Sequence, residues 1–229
     1  MQNGAIGNCG GTLLNSRFVL TAAHCLARHV INDNFRVYLG LLDTQNLFDQ
    51  NVQMRRVVGV TMPVGNQHGT HEYDDIAVIE LESPVTYTWA VGPIRIYEND
   101  EPMVSGRILP MVAGYGFTAY ESFWRWGKPS RYLLYTYIFF SSQKLCRRRY
   151  GPVITDKQLC AGASGRGVGM GDSGGPLFLS YRGSWTQIGV SSITFVTNDK
   201  DEFPDAYTRV SRYCGFIEQA TKGTFKCLK

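Results

Sequence analysis

The chain has 229 residues, 44% hydrophobic and only 18% charged, which supplies a sizeable core and excludes a disordered polymer. Its net charge of +4 is too small and too spread to mark a nucleic-acid binder. The most apolar run, residues 132–140 (YLLYTYIFF), is roughly half of the ~20 residues that a membrane helix needs.

Short apolar or alternating runs between Gly, Pro, Asn and Asp clusters predict strands at 18–20, 35–39, 57–60, 76–81, 108–112, 133–140, 176–179 and 187–191. Strands of this length and spacing suggest a sandwich or a barrel. The aromatic-rich run 132–140 is expected to be buried. Residues 94–106 hold Glu98, Asn99, Asp100, Glu101 and Pro102, and are expected to link two β-rich halves across the surface. The halves are residues 1–93 and 107–213. The last segment, 214–229, opens with the one good helix pattern, where Phe216, Ile217 and Ala220 share a face and Gly223 supplies a stop. The run Arg147, Arg148 and Arg149 is expected to be a solvated loop.

Six cysteines without a C-x-x-C pair argue against zinc and thioredoxin-type chemistry. An even, widely spaced set fits three disulfides and an oxidising, extracellular compartment. Yet residues 1–10 lack the basic start and apolar core of a secretory leader. Either the chain is a processed or truncated piece of a secreted protein, or its cysteines are reduced; the first is expected.

The stretch GMGDSGGPL at residues 169–177 places Ser173 among glycines. A serine hydroxyl becomes a nucleophile only when a base takes its proton, and the base is most often histidine. The four histidines, His24, His29, His68 and His71, all precede Ser173. GDSGG also satisfies the nucleophile elbow of α/β-hydrolases, but those order their triad Ser, acid, His. The order acid, His, Ser fails for His24, because no Asp or Glu precedes it. The order His, Asp, Ser survives most naturally.

The contexts LTAAHCL, YDDIAVIEL and GDSGGPL, with CGGTLLNSRFVLTAAHC, VAGYGFT, QLCAG and PDAYTRVSRY around them, resemble the trypsin/chymotrypsin family of serine proteases over nearly the whole chain. The resemblance implies two antiparallel six-stranded-type β-barrels with a C-terminal helix, the first barrel incomplete at its start. It implies His24 as general base and Ser173 as nucleophile. It also implies Asp75, rather than its neighbour Asp74, as the orienting acid. The Gly171 and Ser173 N–H groups would form the oxyanion hole. Ser192, Ile193 and Thr194 resemble the strand that pairs with substrate, and Ser192 is a candidate partner of Asp75. The disulfides implied are Cys9–Cys25, Cys146–Cys160 and Cys214–Cys227. Gly169 and Leu179 stand where the family often has half-cystines, so a looser pocket rim is expected.

In trypsin-like members an acid lies six residues before the nucleophile, at the pocket floor; here that position is Gly167. Asp205 stands where the family usually has Gly on the pocket wall. A carboxylate there would favour Lys or Arg side chains and leave room for Leu, Phe or Tyr, a mixed specificity; with Asp205 facing solvent instead, the pocket would be chymotrypsin-like. The family pairs a freed amino terminus with the acid before the nucleophile, here Asp172. A chain opening at Met1-Gln2-Asn3 is expected to lack that stretch and to be weakly active, which keeps a non-catalytic binding homologue as the alternative. The activity implied is peptide-bond hydrolysis by a secreted, monomeric endopeptidase. Protein or peptide substrates and protease inhibitors are its expected partners. No cofactor, metal, nucleic acid or membrane is expected.

Overall fold

The computed structural model describes residues 9–26, 35–66, 73–105, 108–118, 120–122, 125–126, 128–195 and 197–229. In chain order the strands are β1 (Thr12–Leu13), β2 (Phe18–Thr21), β3 (Arg36–Leu39), β4 (Gln53–Thr61), β5 (Ala77–Leu81), β6 (Met111–Gly114), β7 (Tyr120–Ser122), β8 (Arg125–Trp126), β9 (Leu134–Tyr137), β10 (Phe139–Phe140), β11 (Gln158–Gly162), β12 (Pro176–Tyr181), β13 (Ser184–Ile193) and β14 (Asp205–Arg209). The helices are α1 (Glu101–Val104), α2 (Gln143–Tyr150) and α3 (Cys214–Ala220).

Two antiparallel sheets carry the molecule, as a double-barrel fold requires. The first runs β1-β2-β5-β4-β3 and the second β10-β11-β14-β13-β12-β6-β9, with β7 and β8 a separate ribbon. Each sheet curls around its own apolar cluster. Leu20, Ile76 and Leu81 lie in the first, and Leu177, Leu179 and Ile188 in the second. Helix α3 closes the chain by lending Ile217 and Ala220 to the first cluster, so the C-terminus packs on the N-terminal half. The helix stops where expected, and Gly223 follows at φ 76°.

Three disulfides join Cys9 to Cys25, Cys146 to Cys160 and Cys214 to Cys227. Their sequence separations are 16, 14 and 13 residues, and loops of this size are worth roughly 3 kcal/mol each in the chain-entropy picture.

Three local expectations need correction. The run 132–140 does form strands, but its side chains are not buried: Tyr135 is 68% exposed, and only Ile138 is fully enclosed. Strand β9 sits at the edge of its sheet, so apolar composition there does not imply a cover. The segment 94–106 does not simply run over the surface, because Ile96, Tyr97, Asp100 and Met103 are buried. Arg95 and Tyr97 form bridges with Thr186 and Leu228. The arginine run lies in the last turn of α2, where positive charge complements the helix dipole, and Arg148 and Arg149 both pair with Glu202.

Candidate active site

Strands β2 and β5 pair antiparallel, with Thr21 opposite Ala77. The end of one and the start of the other therefore lie side by side. A 3-10 turn, Ala23–Cys25, follows β2 and carries His24, with buried Ala23 and disulfide-bonded Cys25 fixing it on both sides. Asp75 lies just before β5. Its Oδ1 accepts the His24 backbone N–H at 2.9 Å, and its Oδ2 lies 2.8 Å from His24 Nδ1. Burial alone would raise the Asp75 carboxyl. The bonds from His24 and Ser192 outweigh it and hold the group below the ordinary carboxylate range.

Asp74 points elsewhere. Its Oδ1 accepts from Lys157 Nζ and from the Tyr213 hydroxyl, both at 2.7 Å. It takes φ 49°, a left-handed turn that separates the two neighbouring carboxylates. Asp75 is thus the acid that faces His24.

The second sheet meets this pair from the other side. Ser192 Oγ donates to Asp75 Oδ2 at 2.5 Å, and Thr208 Oγ1 donates to the Asp75 carbonyl at 2.8 Å. Ser173 lies in the turn that feeds β12. Gly174 N–H donates to Ser191 O, Ser191 N–H to Gly175 O, and Gly10 N–H to Ser173 O. A Cβ placed on Gly174 would approach the Ala22 nitrogen at 3.1 Å, so this turn abuts the segment that carries His24. Ser173 and His24 are not hydrogen-bonded to each other. Such contacts often tighten only when substrate is bound.

The Gly171 and Ser173 N–H groups have no acceptor among the described residues. Gly171 takes φ 95°, a conformation that favours glycine. Between them Asp172 turns its carboxylate inward, where Oδ1 accepts Gly116 N–H at 2.7 Å and Oδ2 accepts Gly169 N–H at 2.9 Å. Burial raises this carboxyl above its ordinary range against the pull of those two bonds. A cavity of about 270 Å³ borders it, lined also by Val112, Phe117, Tyr135 and Lys200.

The expected pocket residues Gly167, Thr194 and Asp205 do come together, around a residue that sequence reading missed. Lys200 Nζ lies 2.7 Å from Asp205 Oδ1, with both side chains nearly fully buried. Burial pushes the Asp205 carboxyl up, while Lys200, Thr194 and the Val168 N–H pull it back. The expected mixed specificity assumed an unmatched charge at Asp205; Lys200 already matches it. Lys200 stands in the polar run TNDKDE, which looks like a solvated loop. The one available signal was an acid, Asp205, inside an apolar strand and in need of a partner. Ile193 pairs with Ala206 beyond a bulge in β13. Cys9, His24 and Cys25 cluster closely enough for a metal, but both sulfurs are consumed in a disulfide.

The family model described as Trypsin matches residues 1–217. The chain belongs to the trypsin family. This trypsin-family chain is 30% identical over 223 residues to phenoloxidase-activating enzyme 1 of Spodoptera litura, covering 92% of this chain and 58% of that protein. It is 32% identical over 230 residues to CLIP domain-containing serine protease B10 of Anopheles gambiae, covering 92% of this chain and 60% of that protein. The chain therefore spans about three fifths of the length of these relatives. Three disulfides and an all-antiparallel double sheet are in keeping with the trypsin family. Among the described residues no helix is long and apolar enough to cross a membrane.

Proposed function

We propose that the chain is a secreted serine endopeptidase that cleaves protein or peptide substrates through an acyl-enzyme. Ser173 is the nucleophile, His24 the general base, and Asp75 the acid that orients His24. The observation that carries this reading is the doubly bonded contact between His24 and Asp75, with Ser192 completing the carboxylate from the opposite sheet. An ionised carboxylate only accepts, so the bond to Asp75 places a proton on His24 Nδ1. Nε2 is then the basic atom, as proton abstraction from a serine requires.

The reaction follows from these placements. Ser173 Oγ attacks the carbonyl carbon of the scissile bond while His24 Nε2 takes its proton. The Gly171 and Ser173 N–H groups receive the oxyanion. Donors of this kind are each worth about 3–4 kcal/mol in transition-state stabilisation. His24 then protonates the leaving amine, and water repeats the sequence to release the acid and restore Ser173. Asp172 anchors the oxyanion turn, and the cavity beside its carboxylate is suited to a chain-terminal ammonium group. Such a group would relieve the cost of burying that charge.

The test is covalent labelling by a fluorophosphonate. The mature protein should label, and Ser173→Ala should abolish the label. Absence of labelling in a processed, folded sample would favour a binding homologue that keeps the fold without the chemistry.

A further inference from the structure

Two segments leave the Ser173 turn and lie side by side, the Thr194 hydroxyl of one 3.3 Å from the Val168 carbonyl of the other. One is the stretch 167–170, tied to the turn by the Gly169 bond to Asp172. The other is the end of β13 and its continuation to Phe195, tied to it by the bonds between Ser191 and Gly174–Gly175. Asp205 spans the two. Its Oδ2 accepts Val168 N–H at 2.9 Å on one side, and its Oδ1 accepts the Thr194 hydroxyl at 2.6 Å on the other.

Lys200 occupies the remaining space. Its Nζ donates to Asp205 Oδ1 at 2.7 Å, to Thr194 Oγ1 at 2.7 Å and to Phe195 O at 2.8 Å. An ammonium has three protons, and all three are used. The opposite wall is equally close. A Cβ on Gly167 would collide with Asp205 Oδ2 and would meet Lys200 Cγ and Cε at 3.3 Å. The lysine stem thus lies against Gly167 while its head reaches the far wall. With 3% of the Lys200 side chain and none of the Asp205 side chain exposed, neither charge is offered to solvent or ligand.

We propose that Lys200 fills what would otherwise be an open recess between these segments beside Ser173, restricting cleavage to bonds that follow a small, uncharged residue. This rests on the peptidase reading above and names its substrate class. A substrate Lys or Arg finds Asp205 already paired. A substrate Asp or Glu finds an ammonium with no proton to give. A Phe or Leu side chain finds the depth filled. Glycine, alanine and serine ask for none of that space. Lys200 is accordingly a specificity-determining residue, and Asp205 holds it in place.

The experiment uses benzamidine, a planar cation that mimics an arginine head, with binding followed by calorimetry at pH 8. The wild-type chain should show no binding at millimolar benzamidine. Lys200→Ala leaves Asp205 facing an opened recess and should gain about tenfold or more in affinity. Lys200→Ala/Asp205→Ala removes both charges, so it folds without an unpaired buried carboxylate. It should bind indole, which the wild type does not, and should not bind benzamidine. In parallel, peptide anilides differing only in the residue before the bond should be cleaved fastest after Gly, Ala or Ser.

Benzamidine binding by the wild type as tight as by Lys200→Ala would overturn the proposal. So would a double variant that folds but takes no indole, or cleavage after Arg, Glu or Phe as fast as after Ala. Benzamidine and indole binding need no turnover. A chain that fails to label at Ser173 yet shows the binding pattern would refute the peptidase reading and leave the occupied recess standing.

Discussion

Ser192 Oγ donates to Asp75 Oδ2 at 2.5 Å, so one carboxylate oxygen is shared between a hydroxyl from the second sheet and the imidazole of His24 from the first. The site is therefore a seam, and Asp75 is its fastener. Replacing Asp75 by Asn removes the charge and presents an amide N–H to His24 Nδ1, which favours the wrong tautomer. Turnover should fall by about 10⁴-fold, the scale seen when an orienting acid becomes an amide. Ser192→Ala should cost far less, about tenfold, because His24 keeps both of its own bonds to Asp75. Steady-state rates on one peptide substrate check both; equal losses would mean that Ser192, not Asp75, sets the imidazole.

The same carboxylate makes the fold sensitive to acid. The folded pKa of Asp75 lies below its ordinary value, so the folded state binds the proton less well than the unfolded chain. Its contribution to stability is complete above the unfolded pKa of about 3.9 and is lost as pH falls through the folded value. Asp74, held down by Lys157 and Tyr213, acts with the same sign. Asp172 and Asp205, raised by burial, act with the opposite sign. The difference in melting temperature between wild type and Asp75→Asn isolates the first of these. It should be largest near neutrality and shrink below about pH 4. A difference that grows on acidification would reverse the assigned sign.

A second ion pair holds the segment between the sheets. Arg209, at the end of β14, donates to Asp100 through Nε at 2.9 Å and Nη2 at 2.6 Å, and both side chains are buried. Asp100→Ala leaves the guanidinium buried with Glu101, itself largely exposed, as its partner among the described residues. Removing one half of such a pair costs about 3–5 kcal/mol. Asp100→Leu/Arg209→Met should recover most of that loss, since two apolar side chains carry no stranded charge. Urea denaturation of the three proteins reads it directly. A double variant as unstable as the single would place the energy in local packing rather than in charge.

The sequence was most legible where chemistry and periodicity coincide. The contexts around His24, Asp75 and Ser173 are local, and the strands that carry His24 and Asp75, β2 and β5, are apolar runs bounded by turns. Most other strands were visible for the same reason. Strand β14 was missed because DAYTR is neither an apolar run nor an alternating one, its five residues all being buried. Helix α2 was missed because QKLCRRRY presents one buried residue, Cys146, and no apolar stripe; its signal was the cap, where Ser142 Oγ accepts from Leu145 N–H. The exposed strand β9 misled in the other direction, since composition cannot distinguish a central strand from an edge. Lys200 was illegible because its burial depends on Asp205 meeting it across a turn, a tertiary event that no local pattern encodes.

Asp172 holds the turn proposed to receive the oxyanion. Asp172 accepts Gly116 N–H and Gly169 N–H, the only bonds that tie its side chain to the surrounding loops among the described residues. Asp172→Ala leaves both donors without an acceptor, at about 1–3 kcal/mol each. It also removes a carboxylate that burial had made costly, which offsets part of that loss. Global stability should therefore fall by less than the two bonds suggest. Function should not be spared in the same way, because the turn that aims Gly171 N–H and Ser173 N–H loses its anchor. Losing an oxyanion donor costs about 10²–10³-fold in rate. Fluorophosphonate labelling of Ser173 should slow by that factor while the thermal midpoint shifts by only a few degrees. Unchanged labelling with a large drop in the midpoint would assign Asp172 to folding rather than to the geometry of the site.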